Sequence, residues 1–283
     1  MALDMPPITG AWLRYLIAII CFLIWLKIIG LLKMPTRGQW KLAFLIGFFS
    51  TATYQAFFMF GMKYTAAGDA SLMITFNPLF TALLAIPLLS EKMTARLATG
   101  LGLGVSGGVI LFLYSPNVNL PADERIVGNL LIAFAALSWA FSSILMRKAM
   151  SEPTDDASEP LSPLTLTVWA SITGFVFLTP WAGWETIQDG IPSISARAWW
   201  ATVFLAVIST VIAYVWFANG IKAIGAGKAA LYVYLVPPFG ILSGWLLLDE
   251  RLGWSLLFAF VLIVGGVALA QSEKRHQQVV SEE

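Results

Sequence analysis

Charge is what this chain has least of: Lys, Arg, Asp and Glu account for 12% of its 283 residues, against roughly a quarter in soluble domains. That is too little polar surface to cover an aqueous globule of this size. The charges balance to +1, which argues against a nucleic acid as partner, since holding a phosphate backbone takes a basic surface. Cys21 is the only cysteine, so an intrachain disulfide and a cysteine-based metal site are excluded. His276, the only histidine, falls in the charged stretch 272–283 and is read as a solvated residue. No Lys or Arg lies in residues 1–10; without the basic region of a cleavable signal peptide, the first apolar run is expected to be retained. No Ser/His/Asp constellation, metal-ligand cluster or phosphate-cradling glycine loop occurs. An enzyme is therefore not indicated, and no metal or cofactor is expected.

What fills the chain instead is apolar. Hydrophobic residues make up 58% and the mean hydropathy is +0.79. Runs long enough to span a bilayer, about 17–25 residues each, fall at 11–32, 40–64, 67–89, 96–114, 127–150, 161–184, 198–222, 227–248 and 254–271. Backbone groups in hydrocarbon must be satisfied internally, which leaves helices or closed barrels, and long runs without period-2 alternation exclude the barrel. The expected fold is an all-α integral membrane protein of nine helices with a lipid bilayer as its surroundings.

Residues 40–107 recur without a gap at 199–266. At an offset of 159, Gly61 falls on Gly220, Lys63 on Lys222, Gly68 on Gly227, Pro78 on Pro237, Phe80 on Phe239 and Glu91 on Glu250. Aligned Gly, Pro, Lys and Glu are far less easily matched by chance than leucines, so two similar halves are inferred. The period is too long for a solenoid.

Orientation gives the repeat its meaning. Lys27, Lys33, Arg37, Lys41, Lys92, Arg96, Arg147, Lys148, Lys222, Lys228, Lys274 and Arg275 fall on one side, twelve in all. Arg14, Lys63, Arg125, Arg197 and Arg251 fall on the other. The side with twelve is expected to be cytoplasmic, with the C-terminus inside and the N-terminus outside. The run 40–64 then crosses outward and its counterpart inward, an inverted-topology repeat of the kind from which transporters build alternating access around a midplane site. The second half holds five helices and the first only four, because nothing precedes 11–32 to match 127–150. Either the first helix is missing or a nine-helix form exists.

The stretch KYTAAGDASLMITFNPLFTAL from Lys63, LSEK from Leu89 and the glycines between 100 and 108 resemble the core of an EamA domain of the drug/metabolite transporter superfamily. GIKAIGAGKAAL from Gly220, VPPF from Val236, LDER from Leu248 and Gly265-Gly266 are similar to the same domain. The resemblance implies two inverted five-helix repeats, here 1–115 (lacking its first helix) and 127–271, followed by a cytoplasmic tail, 272–283. It favours truncation over a natural nine-helix variant. It also implies a cell inner-membrane or plasma-membrane permease for a small-molecule substrate, export being the family habit, with nucleotide-sugar or sugar-phosphate exchange as the alternative activity. A non-transporting intramembrane enzyme or an assembly subunit is the reading from another class.

Polar groups within a span are costly unless they face a cavity or another helix, so mid-span residues are the binding candidates. Thr51, Tyr54, Gln55 and Phe58 share one face at helical spacing, and Thr210 and Tyr214 occupy the inverted mate. Each has a structural alternative, hydroxyls bonding back to their own helix or rings packing between helices. Asn77-Pro78 and Pro237-Pro238 interrupt equivalent helices, each freeing a carbonyl about a turn earlier; Pro78, Pro237 and Pro238 are read as hinges, with Thr75, Asn77 and Tyr234 as neighbouring binding residues. Trp139 and Ser142 place an amphipathic ring beside a hydroxyl near mid-depth. No Asp or Glu lies near the middle of a span and no cation is visible deep in one, which turns the expected substrate from phosphates toward neutral or zwitterionic metabolites such as amino acids. Gly100, Gly104 and Gly108, and Gly240 with Gly244, have the small-xxx-small spacing of close helix packing, within the chain or in a homodimer.

Overall fold

The computed structural model describes residues 5–90, 93–115, 121–151, 161–190, 194–216 and 235–282. Among these residues nine helices follow one another: α1 Pro7–Ile28, α2 Arg37–Tyr64, α3 Ala67–Leu89, α4 Ala95–Tyr114, α5 Ala122–Ser151, α6 Pro163–Asp189, α7 Ala196–Trp216, α8 Val236–Leu248 and α9 Trp254–Glu282. The first seven are long and apolar enough to cross a membrane, and α8 and the 254–270 part of α9 are shorter apolar helices.

Helix ends follow local chemistry. The chain enters α1 at Pro7, four residues earlier than the apolar run suggested, because proline suits a first helical position and a distant carboxylate satisfies the first turn. Glu185 Oε1 accepts from Ile8 N at 3.2 Å, and its Oε2 accepts from Thr9 N at 2.8 Å and Thr9 Oγ1 at 2.9 Å. Gly30, at φ 69°, lies just past the far end of α1, where a left-handed residue stops a helix. α2 opens on a capping box in which Thr36 N donates to Gln39 Oε1 at 3.0 Å. Ser162 and Ser195 accept from Thr165 N and Ala198 N at the heads of α6 and α7. The stretch 272–282, expected as a tail, continues α9 as helix; it contains neither Pro nor Gly and is rich in good helix formers.

The repeat extends to the irregularities of the backbone. α2 and α7 each open into a wider π-helical turn, Phe48–Thr53 and Val207–Ile212, whose first residues are 159 apart. Ser90 and Asp249, also 159 apart, end α3 and α8 in the left-handed conformation. The proline-led segments Asn77–Leu89 and Val236–Leu248, and the starts of α4 and α9, keep the same interval.

The chain divides into two compact units, and neither coincides with a repeat. One comprises Met1–Met59 with Phe141–Gly225, the other Phe60–Ala140 with Ala226–Glu283. In the first unit α1 packs on α6, with Phe22, Leu26, Leu164, Val168, Val211 and Val215 in one apolar cluster. α2 approaches α6 closely at Gly47 and Gly174: a side chain on Gly174 would strike Thr51 and the Gly47 carbonyl. Thr173 Oγ1 donates across that contact to Ala43 O at 2.8 Å, a bond worth about 0.6 kcal/mol in a membrane interior.

In the second unit α4 lies along α9, with Gly100 against the Gly266 carbonyl and Ala270, Gly107 against Ile263, and Gly104 against Leu79 of α3. Gly240 meets Ser71 and Gly244 meets Glu250. The small-xxx-small faces are thus occupied by contacts within the chain. Large apolar side chains point outward around both units, among them Ile187, Trp200, Trp216, Leu247 and Trp254, as expected where the surrounding solvent is lipid.

Candidate functional site

The polar groups of the first unit gather around the two π turns. Thr51 and Thr210, equivalent under the 159-residue interval, are both buried within them. A π turn inserts one residue into the helix, and such insertions are concentrated at functional sites. Thr210 Oγ1 donates to Leu205 O at 2.9 Å, five residues back. It also accepts two bonds from Arg14, from Nε at 3.1 Å and Nη2 at 2.8 Å.

Arg14 corrects the sequence reading. The charge count placed it at the outer margin of the first run, three residues in; the observed start of α1 at Pro7 puts it seven residues, about 10 Å, along the helix. A cation therefore does sit within a span, contrary to expectation. Its guanidinium carbon lies 5.7 Å from the centre of the Tyr15 ring. Tyr15 is buried and its hydroxyl accepts from Gln55 Nε2 at 3.2 Å. Gln55 is 1% exposed, and its Oε1 has no hydrogen-bond partner. Tyr54 and Tyr214 lie within electrostatic reach of both Arg14 and Tyr15. Tyr54 stacks on Phe58 with ring centres 5.6 Å apart, and Tyr214 meets Phe22 edge-on at 6.3 Å.

Of the sequence candidates, the structure therefore gathers Thr51, Tyr54, Gln55, Phe58, Thr210 and Tyr214 in one unit and adds Arg14 and Tyr15. Ser142 is also in that unit, buried on α5. Trp139, three residues earlier on the same helix, belongs to the other unit, because the division falls between Ala140 and Phe141. Thr75 and Asn77 are in the second unit too. The Thr75 hydroxyl donates to Ser71 O of its own helix at 2.9 Å, the structural role expected of a mid-helix threonine. Asn77 Oδ1 is buried without a partner. The helix is broken beside it: Thr75 and Phe76 donate to Leu72 O and Met73 O, three residues back, before Pro78 starts the next segment at its second position. Pro237 and Pro238 occupy the second and third positions of α8. Tyr234 lies outside the described residues.

The second unit holds a polar cluster to which residue type and spacing assign no role. Asp69 is buried and its Oδ1 accepts from Ser115 Oγ at 3.0 Å. Thr65 donates to buried Asn129. Glu250 accepts from Ala67 N at 2.6 Å and Gly68 N at 3.0 Å, so a carboxylate from the second repeat satisfies the first turn of α3, as Glu185 does for α1. The carboxylates complement the positive end of each helix dipole. An acidic residue just past an apolar run was the available signal, but nothing in the sequence said which helix it would cap. Two surface grooves, one along Ile241, Leu252 and Leu256 and one along Trp12, Ala182 and Ile187, are lined almost wholly by apolar groups and gather none of the candidate binding residues.

Seven helices long and apolar enough to span a bilayer, with large apolar side chains facing outward, define a multi-pass membrane protein. The model of the EamA-like transporter family matches residues 1–113 and 126–271. The chain belongs to that family and is a membrane transporter. It is 28% identical over 233 residues to an uncharacterized transporter, YyaM, of Bacillus subtilis strain 168, covering 82% of this chain and 73% of that one. It is 27% identical over 274 residues to a probable amino-acid metabolite efflux pump of Escherichia coli strain K12, covering 93% of this chain and 85% of the pump. A crystal structure 20% identical in sequence shares the fold with a TM-score of 0.63, over 96% of this chain and 90% of that one.

Proposed function

We propose that this transporter is a permease of the inner or plasma membrane that moves amino acids or similar neutral or zwitterionic metabolites by alternating access, and that its physiological direction is export. The observation that carries the reading is the pair of π turns 159 residues apart, each with a buried threonine at the same position. In the two repeats, 1–115 and 127–271, which the Lys and Arg distribution inserts in opposite directions, this gives two equivalent irregular helices at mid-depth. Inverted repeats with interrupted helices supply two near-equivalent states open to opposite sides. The ligand groups around the turns are hydroxyls, phenols, one carboxamide and one guanidinium, which suits a small solute of low net charge. The similarity to the Escherichia coli protein named as a probable amino-acid metabolite efflux pump supports both the solute class and the direction.

The test is a flux screen in proteoliposomes across the amino acids and related metabolites. Accumulation against an unlabelled gradient, in counterflow, supports the permease. If no solute moves, the reading fails; if uptake and not extrusion is raised in cells that overproduce the protein, the direction is wrong.

A further inference from the structure

Arg14 donates through two of its nitrogens to a single neutral hydroxyl, that of Thr210. Among the described residues no carboxylate pairs with it. A guanidinium is a planar fork of five N–H groups matched to a carboxylate, and a cation within a span is costly unless an anion or a wet cavity meets it. Thr210 offers an oxygen but no charge.

The neighbouring defect has the opposite sign. Gln55 Oε1 is an acceptor without a donor on a side chain that is 99% buried by area, while the Nε2 of the same group is held by Tyr15. A buried acceptor left unmade is expensive. Tyr15 joins the two: it follows Arg14 in the chain, its ring lies beside the guanidinium and its hydroxyl holds Gln55. One phenol is thus flanked by a cation lacking an anion and an acceptor lacking a donor.

We propose that these two groups receive the head of an α-amino acid, the carboxylate on the Arg14 guanidinium and the ammonium on Gln55 Oε1. This rests on the permease reading and assigns the atoms that recognise the solute. A single cation balances a monocarboxylate; it leaves a phosphate dianion or a diphosphate largely uncompensated. The Tyr54–Phe58 stack and the Tyr214 ring then supply aromatic surface for the remainder of the solute.

The experiment measures thermal stabilisation of the purified full chain in detergent, first by each of the twenty amino acids. The best of them is then compared with its carboxamide, which lacks the negative charge, and with its desamino acid, which lacks the ammonium. The amino acid is expected to half-saturate at a concentration about tenfold below either analogue, the scale of one charge-assisted hydrogen bond. Arg14→Gln should bring the amino acid to the level of its carboxamide, and Arg14→Lys should restore most of the preference. Gln55→Leu should abolish discrimination against the desamino acid and keep discrimination against the carboxamide. Equal binding of either analogue by the unaltered protein overturns the assignment without reference to any variant, as does the absence of stabilisation by all twenty amino acids. Flux of other solutes with no amino acid bound would sink this site and leave the permease standing; amino acid binding with no flux of anything would do the reverse.

Discussion

Ser90 and Asp249 are the two non-glycine residues with positive φ among those described, at 55° and 54°, and they stand 159 residues apart. Each ends a proline-led helical segment, Asn77–Leu89 in one half and Val236–Leu248 in the other. Matching strain at matching positions in the two halves means that the repeat is a repeat of backbone geometry as well as of residue type.

Because a side chain in this conformation is disfavoured and glycine is not, Ser90→Gly and Asp249→Gly should each stabilise the protein by about 1 kcal/mol. Thermal unfolding in detergent measures it. A fall in melting temperature for both variants would show that the two side chains contribute more than their backbones cost.

Glu185 holds the first turn of α1 through three hydrogen bonds, two from backbone N–H groups and one from a hydroxyl. Glu185→Leu leaves those donors unpaired and should cost about 2–4 kcal/mol. Glu250→Leu, which releases Ala67 N and Gly68 N, should cost a similar amount. Unfolding curves of the single and double variants check both, with additive losses expected because the two caps lie in separate units.

Gly100 and Gly102 are two residues apart and should respond in opposite ways to the same change. A Cβ at Gly100 meets the Gly266 carbonyl and Ala270, whereas one at Gly102 meets nothing. Gly100→Leu should cost at least about 3 kcal/mol by overpacking, and Gly102→Leu should leave yield and melting temperature unchanged. Similar behaviour of the two would refute the packing of α4 on α9.

Thr75 and Thr210 were equal candidates from sequence and differ in the structure. Thr75→Val removes a bond to its own helix and should leave flux of the transported solute within about twofold, as expected for a hydroxyl worth well under 1 kcal/mol in a membrane helix. Thr210→Val takes the acceptor from Arg14 and should change flux by about tenfold.

A topology reporter settles orientation. Fused after Glu283, a fluorescent protein that matures only in the cytoplasm should glow and a phosphatase active only outside should be silent; the reverse pattern would invert every statement about sides.

Much of the fold was legible because the bilayer imposes it. Spans declare themselves by length and hydropathy, and offset matches of Gly, Pro and Glu exposed the doubling before any coordinate. Helix starts were less legible: Pro7 begins α1 because Glu185, far along the chain, satisfies its first N–H groups, and no local pattern carries that information. Thr51, Tyr54, Gln55, Thr210 and Tyr214 could be nominated as polar residues at mid-span. Arg14 could not, since a cation near the start of an apolar run reads as a residue reaching back to the headgroups until the helix is seen to begin earlier.

The sequence by itself determined that this is a doubled helical membrane protein of the EamA type, because hydropathy and repeated special residues are properties of the chain alone. Tertiary structure decided which segments form each compact unit and which carboxylate caps which helix. It also decided that Arg14, Tyr15, Gln55 and Thr210 meet. Those are relations between residues as many as 196 positions apart, set by the packing of one helix face on another and not by any spacing along the chain.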